Sequence, residues 1–207
     1  MFNIPYIANP GNGCALACYT MTAKYFFPET TFEQVAEISD WKPGYVIWPF
    51  KFWLWIMDRG IKITDYDLID LQKWGDIGIE GLKQSVGEKE FNYYVESAEN
   101  LETYSSDIQK VMNHPNFTYH KEKPAFSRLE TAYGEGGVCE VVLNAALLDG
   151  KEGFAPHRVV VLDITENNIT FHDPRKVNHQ PARQETRALF EKAWLSMDEP
   201  ELCVYKR

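Results

Sequence analysis

Beyond Gly134 the hydrophobic pattern of the chain changes period, and this change most limits what it can fold into. Before it, apolar residues recur at three- and four-residue steps, the spacing of helices packed on a core. After it come VCEVVLNAALL, HRVVVLDI and NNITFHDP, short runs rich in β-branched residues and bounded by turn formers, the pattern of strands. A mostly helical part over about 1–133 followed by a part richer in strands over about 134–207, rather than the two in alternation, predicts an α+β fold. No repeat, linker or low-complexity stretch divides the chain. At 207 residues and 44% hydrophobic composition it can bury a core, so one domain spanning 1–207 is expected.

Individual elements follow from local chemistry. Residues Ile4 to Ile7 suit a short strand or extended arm, stopped by Asn9, Pro10, Gly11, Asn12 and Gly13. A helix is predicted from Cys14 to Phe26, its core stripe being Cys14, Ala17, Cys18, Met21 and Tyr25, and Pro28 ends it. Thr31 with Gln34 three positions on forms a capping box for a second helix. Within YVIWPFKFWLWIMDRG, residues Phe52, Trp55, Ile56 and Arg59 suit a helix ending at Gly60, and IKITDYD a strand. Residues 68 to 130 read as mostly helical and charged. Glu166-Asn167-Asn168 is a tight turn between two strands, a last helix is predicted from Arg183 to Trp194, and ELCVYKR is a last strand.

Composition excludes several functions. A formal net charge of −9 without a basic block argues against nucleic acid and against an anionic membrane surface. No window approaches the roughly 18 apolar residues of a membrane span, and the N-terminal residues lack a signal-peptide pattern, so a cytoplasmic protein is expected. The four cysteines, Cys14, Cys18, Cys139 and Cys203, are too scattered for a disulfide framework.

Cys14 stands where a nucleophile is favoured. A thiol in the first turn of a helix feels the positive end of the backbone dipole, which favours thiolate, and Gly11 and Gly13 before it permit tight turns and close approach by a substrate. Cys18, on the apolar stripe, reads as structural. A cysteine nucleophile needs a base and the base an orienting partner. Among the histidines, His114, His120 and His179 read as surface residues, whereas His157 opens an apolar strand directly after the flexible DGKEGFAP. Asp173 ends the next strand. If the two strands form a hairpin about Asn167-Asn168, His157 and Asp173 meet near its open end. His172 alternates to the other face.

The stretch IPYIANPGNGCALACYTMTAKYF resembles the papain-like cysteine peptidases, most closely the bacteriocin-processing, double-glycine-cleaving peptidases and their bacterial relatives. Cys14, Ala15, Ala17 and Met21 stand in step with the family's first helix. VVLNAALLDGKEGFAPHRVVVLDI is similar to its strand, loop and histidine strand, ITFHDP to its Asp-Pro strand end, and LFEKAW to its closing helix. The resemblance covers the start and the last third, not residues 28 to 134. It implies a papain-like fold, with an N-terminal helical lobe on a C-terminal twisted antiparallel sheet. It further implies a thiol protease, a hydrolase of peptide or isopeptide bonds in which Cys14 attacks, His157 is base and acid, and Asp173 orients it. The oxyanion would be held by the Cys14 N–H and a side-chain amide. Where the family carries an upstream glutamine this chain offers Asn9 or Asn12, and Ala15 and Pro156 stand where relatives commonly have glycine.

A peptide or protein substrate is the expected partner, with no cofactor and no metal. Two alternatives use the same scaffold: acyl transfer to an amine through the same triad, or a non-catalytic peptide-binding or sensing module with YVIWPFKFWLW as its groove. A metal held by Cys14 and Cys18, with Cys139 or a histidine completing the shell, is disfavoured, because no second close Cys or His pair has zinc-like spacing.

Overall fold

The computed structural model describes residues 1–207 apart from Pro10, Asn12, Asn100 and Val177. Among the described residues ten α-helices and seven strands form. The helices are α1 (Cys14–Phe26), α2 (Phe32–Ile38), α3 (Phe50–Met57), α4 (Leu71–Ile77), α5 (Ile79–Lys83), α6 (Glu88–Ser97), α7 (Tyr104–Met112), α8 (Phe126–Gly134), α9 (Ala145–Leu148) and α10 (Arg187–Leu195). The strands are β1 (Lys62–Asp67), β2 (Phe117–Lys121), β3 (Val138–Asn144), β4 (Pro156–Ile164), β5 (Asn168–Asp173), β6 (Gln180–Thr186) and β7 (Glu201–Lys206). They make one sheet in the order β2-β1-β7-β3-β4-β5-β6.

The architecture is α+β, but the sheet is mixed rather than antiparallel. Strands β1 and β2 run parallel, with Ile63 opposite Phe117, while the other neighbours are antiparallel. A parallel pair needs a crossover, supplied here by the helices between residues 71 and 112. The first part of the chain therefore contributes two strands, and the expected division into a helical and a sheet portion near residue 133 does not describe the layers. Strand β7, near the end of the sequence, is central: it pairs with β1 on one side and β3 on the other.

Both faces of the sheet are covered. On one, Leu16, Cys18 and Met21 of α1 and Phe52, Trp53 and Ile56 of α3 pack on Val160, Leu162 and Tyr205. On the other, Leu129 of α8 and Phe190 and Trp194 of α10 pack on Val141, Val159, Val161 and Phe171. Successive residues of VVVL in β4 thus alternate between two cores, which is why that strand is a continuous apolar run.

Helix α1 spans the predicted residues, yet it is buried all round from Leu16 to Ala23 rather than along one stripe, and Tyr25 is exposed. The Thr31 capping box forms with both bonds: Thr31 Oγ1 accepts from the Gln34 N–H and Gln34 Oε1 from the Thr31 N–H. Gly78, at φ 69°, separates α4 from α5. Strand β3 stops at Asn144, short of the predicted run, because the Asn144 side chain caps α9 by accepting from the Ala146 N–H. The residues predicted to begin the last helix at Arg183 instead finish β6, and α10 starts at Arg187, capped by Thr186. Residues 1–9 form an extended arm rather than a strand, held where the Phe2 N–H donates to the Leu162 carbonyl (2.8 Å).

The central position of β7 predicts that Leu202→Ala, at a fully buried site, lowers unfolding free energy by about 2–5 kcal/mol, whereas Thr31→Ala at the α2 cap lowers it by only about 1 kcal/mol. Urea unfolding checks both, and a smaller loss at Leu202 than at Thr31 would count against a central β7.

Candidate active site

Cys14 is the first residue of α1, and among the described residues no side chain caps that helix. Its leading N–H groups are therefore left to water or a ligand. Before it, Asn9 Oδ1 accepts from the N–H groups of Gly11 (2.8 Å) and Gly13 (2.9 Å), so the asparagine oxygen holds the turn that delivers Cys14. Of the Asn9 amide, Nδ2 is the part left to donate. Asn12 lies outside the described residues.

His157 and Asp173 come from one hairpin, as the spacing predicts. The ladder pairs Val160 with His172. One further step puts Asp173 opposite Val159, two residues from His157 and on the same face, a diagonal neighbour within reach. His157 Nε2 lies 2.8 Å from Asp173 Oδ1. The imidazole and the Cys14 thiol line one cavity, close enough for each to shift the titration of the other. With Nε2 held by Asp173, Nδ1 is the nitrogen left for the sulfur. Cys14 is partly exposed, His157 is 6% exposed, and Asp173 is fully buried.

The electrostatics favour a charged pair. Burial pushes the Cys14 thiol up, but the bond and charge of His157 and the main-chain N–H of Arg158 outweigh it and lower the thiol to about 7. Burial pushes the His157 imidazolium down, but its bonds to Asp173 and Cys14 win and raise it to about 9. Burial likewise opposes the Asp173 carboxylate, while His157 and Arg175 hold it well below the usual carboxylate range.

Sequence reasoning missed the support around this pair. Arg175 Nε donates to Asp173 Oδ1 (2.9 Å) and Arg183 Nη1 to Oδ2 (3.0 Å). Both guanidiniums also meet Asp149, at 2.8 Å and 3.5 Å. Asn144 ties down the loop into His157: its Nδ2 donates to the Gly153 carbonyl and its Oδ1 accepts from the Ala155 N–H. Pro156 opens β4 opposite Asn144, a strand-end position where its missing N–H is tolerated, and it leaves the His157 contacts intact. The DPR triplet around Asp173 was the available signal for Arg175. Arg183 carried none, because its segment read as helix.

The other candidates have structural places. The Cys18 thiol donates to the Arg158 carbonyl (3.3 Å). Cys139 lies in the core on the other face of the sheet, so these cysteines do not gather around Cys14. His172 is held between the Ile4 carbonyl (2.8 Å) and the Ala182 N–H (3.1 Å), away from Asp173 as its alternation predicts. In the aromatic stretch, Phe50, Phe52 and Trp53 are core, while Val46, Ile47 and Trp48 line a cavity beside Cys14.

Comparison with known proteins gives no matching family model, no matching curated sequence and no matching solved structure. Among the described residues no helix is long and apolar enough to cross a membrane.

A thiolate–imidazolium pair should persist between pH about 7 and about 9. Below the lower value Cys14 takes up its proton, and above the upper one His157 loses its own. Alkylation of Cys14 by iodoacetamide is therefore expected to rise with pH through a midpoint near 7, and His157→Ala to move that midpoint toward the ordinary thiol value of about 8.5. An unmoved midpoint would deny His157 its part in activating the sulfur.

Proposed function

We propose that the protein is a papain-like cysteine peptidase that hydrolyses a peptide or isopeptide bond. The observation that carries this reading is the 2.8 Å contact of His157 with Asp173, at a cavity that His157 shares with a Cys14 thiol whose titration it lowers, at the start of a helix. Nucleophile, base and orienting carboxylate stand in the order that acyl transfer requires.

In the proposed reaction the Cys14 thiolate attacks the substrate carbonyl carbon, forming a carbon–sulfur bond as the carbonyl electron pair moves onto oxygen. The N–H of Cys14 and the Asn9 Nδ2 are the donors for that oxyanion. His157 gives its Nδ1 proton to the departing amine as the carbon–nitrogen bond breaks, leaving a thioester. A water then attacks the thioester carbonyl, His157 takes its proton, and collapse expels the thiolate, which restores the starting pair. Asp173 stays ionised throughout, because it is bonded to two guanidiniums as well as to the imidazole.

Digestion of a mixed peptide pool, followed by mass spectrometry, tests this reading. Cys14→Ala is expected to abolish turnover and His157→Ala to lower it by about 10²–10⁴-fold, both with near-native thermal unfolding. Cys18→Ala, which removes the bond to the Arg158 carbonyl, is expected to cost on the order of 1–2 kcal/mol of stability and to lower turnover far less than either of those variants. Equal turnover by the Cys14 variant would defeat the assignment.

A further inference from the structure

Beside Cys14 and His157 lies a cavity of about 100 Å³. Its walls include the apolar faces of Trp48, Ile69 and Tyr94, but Asp67, Glu199 and Glu201 also line it. Asp67 and Glu199 are only 6% and 7% exposed. Asp67 Oδ1 accepts from the N–H groups of Leu68 and Ile69. Among the described residues, Glu199 Oε2 and Glu201 Oε1 are buried without a hydrogen-bond partner.

The local charge is unbalanced. Arg158 also lines the cavity, but its guanidinium already serves Glu201 (2.5 Å) and the buried Glu140 (3.3 Å). Nothing in those contacts answers Glu199 or Asp67. Burial pushes the Glu199 carboxyl up to about 7, and burial together with the Glu201 charge pushes Asp67 well up. Buried carboxyl groups that line a cavity, two of them with an oxygen unpartnered among the described residues and with mutual repulsion between them, are a site that lacks its cation.

We propose that this cavity is the specificity pocket of the Cys14 site and accepts a cationic side chain, lysine or arginine, of the substrate. The word substrate rests on the hydrolase reading; the preference for a cation is a property of the cavity. An aliphatic stem would lie along Trp48, Ile69 and Tyr94, and the charged head would reach Glu199 and Asp67. The volume is several times the roughly 10–15 Å³ of such space that a single water needs, so the cavity can take a side chain rather than only a solvent molecule. The net charge of −9 adds attraction at longer range.

Three bromoacetamides of equal length test this, one ending in an ammonium, one in its uncharged methyl isostere and one in a carboxylate. Alkylation at Cys14 is followed by mass spectrometry at neutral pH, with Cys14→Ala as control. The ammonium reagent is expected to react about tenfold or more faster than the isostere and the carboxylate slowest, with the ratio collapsing toward one in Glu199→Gln and Asp67→Asn. Equal rates in the native protein overturn the proposal, and so does a preference that both variants keep, since that would be the field of the whole surface. A protein that shows the preference but cleaves no peptide retains the pocket and loses the hydrolase reading; one that cleaves peptides without the preference does the reverse.

Discussion

The peptide unit of Arg158 grips helix α1 at two points, and the site depends on that grip. Its carbonyl accepts from the Cys18 thiol, and its N–H favours the charged form of the Cys14 sulfur. Residues four apart lie on one face of a helix, so both sulfurs meet the same stretch of β4. Cys14 is therefore fixed relative to His157, the residue next to Arg158 in the strand. Thr22, two turns on, repeats the attachment by donating to Glu140 of β3 (2.5 Å). Cys18 belongs to the site as its fastener rather than as a reactant.

Two charge clusters of opposite character flank the pair. Around Asp173 the charges balance: Arg175 and Arg183 bridge Asp173 and Asp149, while Arg183 also pairs with Glu185 (2.6 Å) and Lys151 with Asp149 (3.8 Å). Such balance allows a fully buried carboxylate to stay ionised, because its oxygens are met by fixed donors in place of water. The carboxylate is thereby held still and holds the imidazole in turn. At the cavity, by contrast, the Arg158 guanidinium pairs with Glu140 and Glu201, while Glu199 and Asp67 line the cavity with no ion pair among the described residues. The first cluster keeps an orienting charge in place, and the second leaves negative charge for something that arrives.

Much of the fold was legible because local rules and tertiary packing agree there. The extent of α1, the capping box at Thr31, the strand IKITDYD and the hairpin through Asn167-Asn168 all follow from periodicity and turn chemistry. The strands that escaped or were misread, β2 and β6, lie at the two edges of the sheet. Edge strands carry polar and charged residues on exposed faces, so they lose the alternation by which a strand is recognised. The burial of β6 shows this: Arg183 is buried while its neighbours Ala182 and Gln184 are exposed.

By itself the sequence determined that a thiol begins a helix, that an imidazole opens a strand after a loop, and that a carboxylate closes the next strand on the same face. Each is a matter of short-range spacing, readable from residues within one hairpin or one helical turn. Only the tertiary structure decided that β7 sits at the centre of the sheet, that Arg175, Arg183 and Asp149 clamp Asp173, and that Asp67, Glu199 and Glu201 meet beside Cys14. Those groups come from segments up to about 130 residues apart, and no local periodicity encodes the pairing that brings them together.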